Sequence, residues 1–379
     1  MKDSLYHPKI SGEVRTSADG YSYFYPYDLP FDFQADDRLR EKIDNAMILL
    51  SRLDGAVSVM EPEERDILLR PFMLMESSMS SAIEGTSSTT ADLYRAERIP
   101  ETDPTKIADN REVLNYRDAM IYGMENSSQG MTHDLIKQMH RILMDSVRGG
   151  DKEPGEYRDV PVFIGRRGDS VDTVRFIPPM PDEIRDKMDA LIEYINEGKG
   201  NVLMRAAFVH YQFETIHPFR DGNGRMGRLL IMMMLASSGL LRHPVLYLSG
   251  FFRLNKGIYT EALNVISRED DIYSWMDLFM RALISQSKKA LDMLASLHEY
   301  RRTLLNGVSG NERIVLESLF RNPYLRVSDV ASMCDIHVST AGRLVDGLVD
   351  RGILREVTGN KRNRLFVSDR IMDIIDQYR

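Results

Sequence analysis

At 379 residues the chain is long enough for two or three domains, and 43% hydrophobic with 8% aromatic residues describes an ordinary globular protein. A formal net charge of −8 excludes bulk affinity for nucleic acid, although a local basic patch stays compatible with it. The single cysteine, Cys334, excludes an internal disulfide and fits a reducing cytoplasm, no apolar opening run suggests a signal peptide, and no run is long enough to span a membrane.

Residues 1–110 read as an N-terminal helical region behind an irregular, tyrosine-rich start at 21–27. Leu39, Ile43, Met47 and Leu50 mark one face of an amphipathic helix. A second helix is predicted over about 64–79, where it meets the serine-rich segment 77–86. That segment contains Ser80-Ser81-Ala82-Ile83-Glu84-Gly85, whose plain reading is a helix end with Glu84 solvated and Gly85 just past the last turn.

The core is expected over 111–305, including a helical tail over about 271–305. Alternating residues in 154–165 and 175–179, around the polar turn 166–170, predict a β-hairpin that is the only sheet element of the core. Val162, Phe163, Ile164 and Gly165 lie in its first strand, and a plain surface hairpin is the alternative use. Val202, Ala206, Val209, Phe213 and Ile216 recur at spacings of 4, 3, 4 and 3, a helix face over 202–216. Next comes His217-Pro218-Phe219-Arg220-Asp221-Gly222-Asn223-Gly224-Arg225-Met226-Gly227-Arg228, then a buried apolar helix from near Arg225 to a stop at Gly239.

This loop brings together a base, a hard-cation ligand, two glycines around an amide, and two arginines on one helix side. A helix N-terminus there offers unpaired N–H groups and a positive dipole end to an anion. Asp221 also suits a turn or cap, and Phe219 reads as core packing. Gly222, Gly224 and Gly227 also spell a dinucleotide fingerprint, but a helix precedes them and no acidic residue stands near 241–245. No Gly-Lys-Ser/Thr closes a P-loop either.

Residues 308–379 read as a separate unit: a helix around 314–320, a second opening at 327, a third at 339, and a hairpin 353–367 with a basic tip. The order resembles a winged helix-turn-helix. Contact with DNA would rest on His337, Ser339, Thr340 and Arg343 and on the tip residues Lys361, Arg362 and Arg364. Dimerisation or protein contact is the equal alternative, so a homodimer stays open.

The stretch 217–228 resembles the signature of the Fic family, His-x-Phe-x-[Asp/Glu]-Gly-Asn-Gly-Arg-x-x-Arg, with every fixed position filled. The resemblance implies a mainly α fold, a helical core with a β-hairpin flap. It also implies transfer of AMP from ATP to a Ser, Thr or Tyr hydroxyl of a protein, itself included, with release of pyrophosphate. By that likeness His217 deprotonates the hydroxyl, and nearby arginines keep it neutral. Asp221 holds Mg²⁺ against the α- and β-phosphates. The Gly222–Gly224 amides and Asn223 seat the phosphates, Arg225 meets the β- and Arg228 the γ-phosphate. The flap residues Val162 to Gly165 align the target segment by main-chain pairing.

Ser80 to Gly85 is similar to the family's inhibitory pattern, [Ser/Thr]-x-x-x-Glu-[Gly/Asn], which implies an ion pair from Glu84 to Arg228 that displaces the γ-phosphate. Residues 255–263 resemble a family segment whose tyrosines line the nucleotide pocket; Tyr259 fits the first of them and Thr260 departs from the second. Other uses stay open: removing AMP with Glu84 positioning a water, a donor other than ATP, or a DNA-binding regulator that senses nucleotide.

Overall fold

The computed structural model of the protein describes residues 8–147, 152–165, 174–360 and 362–379; the expected hairpin turn 166–170 and the tip residue Lys361 lie outside them. The start is a hairpin and not irregular: β1 (Gly12–Thr16) pairs antiparallel with β2 (Ser22–Pro26). Three consecutive aromatics, Tyr23 to Tyr25, show no polar–apolar alternation, so the period of a strand is masked in the sequence. Phe24 is fully buried, 5.8 Å from Phe176, and its N–H donates to Ile177 O. Among the described residues the predicted flap shows one antiparallel bridge, Ile164 to Phe176, and the N-terminal hairpin supplies a regular sheet beside it.

Helices α1 (Asp37–Ser58), α2 (Pro62–Ile83), α3 (Thr90–Ala96) and α4 (Pro104–Asn126) follow. Asp36 caps α1 by accepting from Leu39 N, and Thr89 and Asp92 form a capping box on α3. Pro62 and Pro104 open their helices where no N–H is needed. α2 runs through the serine-rich segment as far as Ile83, and the Ser77 and Ser78 hydroxyls are satisfied within the helix by the carbonyls of Met73 and Met75. The boundary expected at 110–111 falls inside α4, whose buried Val113, Tyr116, Ala119 and Met120 join the N-terminal helices to the core.

Next come α5 (His133–Leu143), α6 (Ile184–Glu197), α7 (Val202–Ile216), α8 (Asn223–Ser237), α9 (Ser249–Leu254), α10 (Lys256–Glu269) and α11 (Ile272–Leu305). α7 has the predicted bounds, and α8 begins two residues before Arg225. Every residue of α8 from Arg225 to Leu235 is buried, so this helix is the centre around which α4 and α7 pack. α11 is no appendage: it lies along α1, and its buried Trp275 donates to Ala207 O at 2.9 Å. No described helix is long and apolar enough to cross a membrane.

The C-terminal elements are α12 (Gly310–Arg321), β3 (Tyr324–Arg326), α13 (Val327–Cys334), α14 (Val338–Asp350), β4 (Arg355–Glu356), β5 (Leu365–Val367) and α15 (Asp369–Gln377). The antiparallel sheet order β3-β5-β4 adds an unpredicted third strand, and α15 is also new. The unit does not stand apart. Asn322 donates to Tyr94 O, Arg98 to Tyr324 O and Tyr247 to Tyr378 O, and its apolar residues join the same core as α2 and α11.

Candidate active site

His217 ends α7 in the left-handed region, φ 51° and ψ 59°, with its N–H donating to Phe213 O. Its Nδ1 lies 3.2 Å from Glu214 O. A carbonyl can only accept, so Nδ1 carries the proton and Nε2 keeps a free lone pair. Burial lowers the imidazole pKa to about 4 despite the Glu214 carbonyl, and the arginine that assists is Arg158, not Arg225 or Arg228 as expected.

Two residues that the sequence did not single out hold this loop. Arg158, 2% exposed, donates to the carbonyls of His217, Val160, Pro179 and Ile216, and its N–H bonds Pro218 O. His140 stacks on Phe219 at 3.7 Å, receives Gly155 N–H at Nδ1 and therefore donates from Nε2 to Asp221 O. Burial keeps it neutral, lowering its pKa to about 4. His140 lies on the buried face of α5 with Leu135, Ile136, Met139 and Leu143, where a histidine reads as core, and for Arg158 only the Pro and Gly residues around it hint at a fixed turn.

The first intrahelical bond of α8 is Met226 N to Gly222 O, so the N–H groups of Asn223, Gly224 and Arg225 have no intrahelical acceptor. Gly222 caps the helix at φ +77°, where a Cβ would sit 2.9 Å from Met144 Sδ. The Asn223 side chain bonds both N and O of Phe219. Its expected phosphate contact is thus left to its backbone amide, because the side chain is spent on the turn.

Asp221 accepts Gly222 N–H at one oxygen and faces Lys152 Nζ at 3.0 Å with the other. Among the described residues no group of three or more His, Cys, Asp or Glu gathers for a metal. A carboxylate neutralised by a half-exposed lysine fits a divalent cation shared with phosphate oxygens. Arg225, 4% exposed, has Nε and Nη1 without hydrogen-bond partners among the described residues and sits 4.0 Å from both Asp221 Oδ1 and Glu112 Oε2.

Arg228 is 3% exposed. Its Nε donates to Ser80 Oγ at 2.8 Å, and its Nη2 to Ser80 O at 3.1 Å and to Glu84 Oε1 at 2.7 Å. Glu84 is the C-cap just past Ile83, the last residue of α2, and Gly85 follows at φ +107°, so the helix-end geometry and the ion pair hold together. A Cβ on Gly224 would lie 2.5 Å from Glu84 Oε1, which puts that carboxylate directly over the start of α8. Burial pushes the Glu84 carboxyl up, and Arg228, with Arg225 and Lys256 behind it, overcomes this and holds it below the ordinary range. Lys256 also caps α2 through Ile83 O.

Tyr259 does not line an open pocket. It is 5% exposed, stacked on Phe252 at 4.5 Å, and its hydroxyl meets His210 Nε2 at 2.8 Å, so it packs from beneath the arginine. Glu214 is a further acidic group here: its buried Oε1 has no partner, and burial raises its pKa to about 7, with Arg228 opposing and Glu84 adding to the shift. In the flap, Phe163 packs edge-on against Tyr21, and among the described residues Val162, Phe163 and Gly165 make no backbone hydrogen bond.

Two family models match: "Fic/DOC family N-terminal" over residues 40–125 and "Fic/DOC family" over 130–235. A protein adenylyltransferase Fic of Nematostella vectensis is 32% identical over 170 residues, covering 42% of this chain and 36% of that protein. One from Aedes aegypti is 27% identical over 214 residues, covering 54% and 39%. The chain thus spans little more than a third of the length of these curated relatives. A Fic family protein from Desulfovibrio desulfuricans has TM-score 0.59 at 19% identity, covering 90% of this chain and 98% of its own. Fic-1 from Caenorhabditis elegans has TM-score 0.51 at 19% identity, covering 72% and 74%; at such identity the likeness shows the fold. With two models of one family matching over just over half of its length, the chain belongs to the Fic/DOC family.

Proposed function

We propose that this chain is a protein adenylyltransferase that moves AMP from ATP to a Ser, Thr or Tyr hydroxyl of a protein, itself included, and that Glu84 holds it at low activity. The observation that carries the reading is the loop between α7 and α8, where a neutral imidazole with a free Nε2 sits beside three unpaired helix amides. His217 Nε2 takes the proton of the target hydroxyl as its oxygen bonds the α-phosphorus. The bond from that phosphorus to the bridging oxygen breaks, and pyrophosphate leaves with the electron pair. The amides of Asn223, Gly224 and Arg225, with the Arg225 donors, receive phosphate oxygens, and Arg228 receives the γ-phosphate once Glu84 has left it. Asp221 would hold Mg²⁺, which supplies charge neutralisation on the phosphates. Within Val162 to Gly165 only Ile164 is paired among the described residues, and the backbone groups of Val162, Phe163 and Gly165 suit strand-like pairing with the target segment. A cytoplasmic setting accords with the single cysteine.

The test is incubation of the purified chain and its Glu84→Gly variant with ATP labelled at the α- or the γ-phosphate, and with the other nucleoside triphosphates. Label kept from the α- but not the γ-position supports AMP transfer, and preference for another base changes the donor. Loss of AMP from a modified protein, dependent on Glu84, moves the hydrolase reading ahead.

A second use, DNA contact by the C-terminal winged-helix-like unit, is favoured by one observation: His337, Ser339, Thr340 and Arg343 are all exposed at the start of α14. Against it, Arg364 pairs with Asp346 and Arg355 with Asp369. A salt-dependent gel shift lost in Arg343→Ala supports contact; no shift leaves the unit to protein contact or dimerisation.

A further inference from the structure

The loop that follows Glu84 is tied to α4 by three consecutive hydroxyls. Thr86 Oγ1 donates to Glu112 Oε2 at 2.5 Å, Ser87 Oγ and N–H donate to Asp109, and Ser88 Oγ donates to Asn110. Glu112, Asp109 and Asn110 are all buried, as is Thr86. The first of these ties is the nearest to the clasp, since Thr86 stands two residues beyond Glu84 and its N–H closes the turn onto Ser81 O.

The same Glu112 oxygen faces Arg225 Nη1 at 4.0 Å, a charge contact outside hydrogen-bond reach. Arg225 Nη1 and Nε therefore keep donors for an incoming anion while the guanidinium is held by opposite charge on two sides, Glu112 and Asp221. One buried carboxylate thus touches both the anchor of the loop behind Glu84 and the arginine at the mouth of α8.

We propose that Glu112 is a positioning residue shared by the phosphate site and the Glu84 clasp: it aims Arg225 and, through Thr86, fixes the chain that presents Glu84 to Arg228. The inference rests on the adenylyltransferase reading for its kinetic arm only. Groups in one contact network couple strongly enough to be read as rate changes of about three- to tenfold.

Two near-isosteric variants separate the two contacts. Thr86→Val removes the hydroxyl tie and leaves the Glu112 charge; Glu112→Gln keeps an acceptor for Thr86 and removes the charge. Both are measured in the full chain, with Glu84 present and with Glu84→Gly, by ATP affinity and by AMP-transfer kinetics. Thr86→Val is expected to raise self-labelling and ATP affinity about threefold or more while Glu84 is present, and to change neither in Glu84→Gly. Glu112→Gln in Glu84→Gly is expected to lower kcat about three- to tenfold without raising KM for ATP, since removing a negative charge beside Arg225 cannot repel the triphosphate. Glu112→Asp restores part of kcat.

A Thr86→Val variant that binds ATP as wild type does, or that gains equally in both backgrounds, overturns the loop half. A Glu112→Gln variant with unchanged kcat, or with KM raised as kcat falls, overturns the Arg225 half. If Glu84→Gly binds ATP but transfers no AMP, the transferase reading fails on its own, and the ATP affinity of Thr86→Val still decides for or against Glu112.

Discussion

Replacing Glu84 by glycine removes one arm of an ion pair whose other arm is fixed. Arg228 is 3% exposed and keeps both Ser80 contacts, so its guanidinium has nowhere else to go and stays available to a phosphate. The lost interaction is a 2.7 Å charge-assisted hydrogen bond, and such bonds are worth about 1.5–3 kcal/mol. The Glu84 side chain is 41% exposed, so solvent screening places the value toward the lower end. That corresponds to roughly a ten- to thirtyfold gain in the population able to accept the γ-phosphate productively. Space points the same way, because the carboxylate oxygen lies 2.5 Å from where a Gly224 Cβ would be, over the first turn of α8. Self-labelling with α-labelled ATP, alongside ATP affinity, measures the effect. Glu84→Gly should label about tenfold faster than wild type or more, and adding Arg228→Ala should abolish the gain. Unchanged labelling at unchanged ATP affinity refutes the reasoning.

His217→Ala should cost roughly 10²–10⁴-fold in transfer and leave ATP affinity near wild type, since the imidazole acts on the hydroxyl; a calorimetric titration beside the rate assay checks both. Because burial lowers the His217 pKa to about 4, the acid limb of kcat/KM assigned to this base should fall near pH 4, and a limb at 6–7 contradicts the buried neutral imidazole. Glu214 titrates at about 7 in the fold against an ordinary 4.5, so the folded state holds its proton more tightly; its contribution is complete below 4.5 and is lost as pH rises through 7. Glu214→Gln should therefore flatten the fall in melting temperature between pH 5 and 8, and an unaltered slope would show that this carboxyl is solvated. Arg158→Ala leaves the carbonyls of His217, Val160, Pro179 and Ile216 without their donor, so both activity and melting temperature should fall; a variant that melts like wild type contradicts the brace.

The helix pair α7 and α8 was legible because apolar spacing fixes a helix and the glycines fix where it must stop, and Glu84 with Arg228 was legible through motif likeness alone. What stayed hidden was what neither a periodic pattern nor a motif marks, much of it dependent on a partner far along the chain. The role of β2 appears only when Phe24 meets Phe176, and that of Arg158 only when its donors reach the turn at His217. The likeness places Asn223 on phosphate, yet its side chain closes onto Phe219, four residues back, so the loop proposed to bind the anion takes its shape from its own contacts. That preorganisation bears on the clasp. Asn223, His140 and Arg158 all bond to the loop, so in the proposed reaction the α8 amides are aimed by contacts already made in the fold. In the proposed function, control of the nucleotide pose falls to a group outside this loop. Among the groups around Arg228, Glu84 fits that part: it is a half-exposed side chain at a helix end, followed by a glycine at φ +107°.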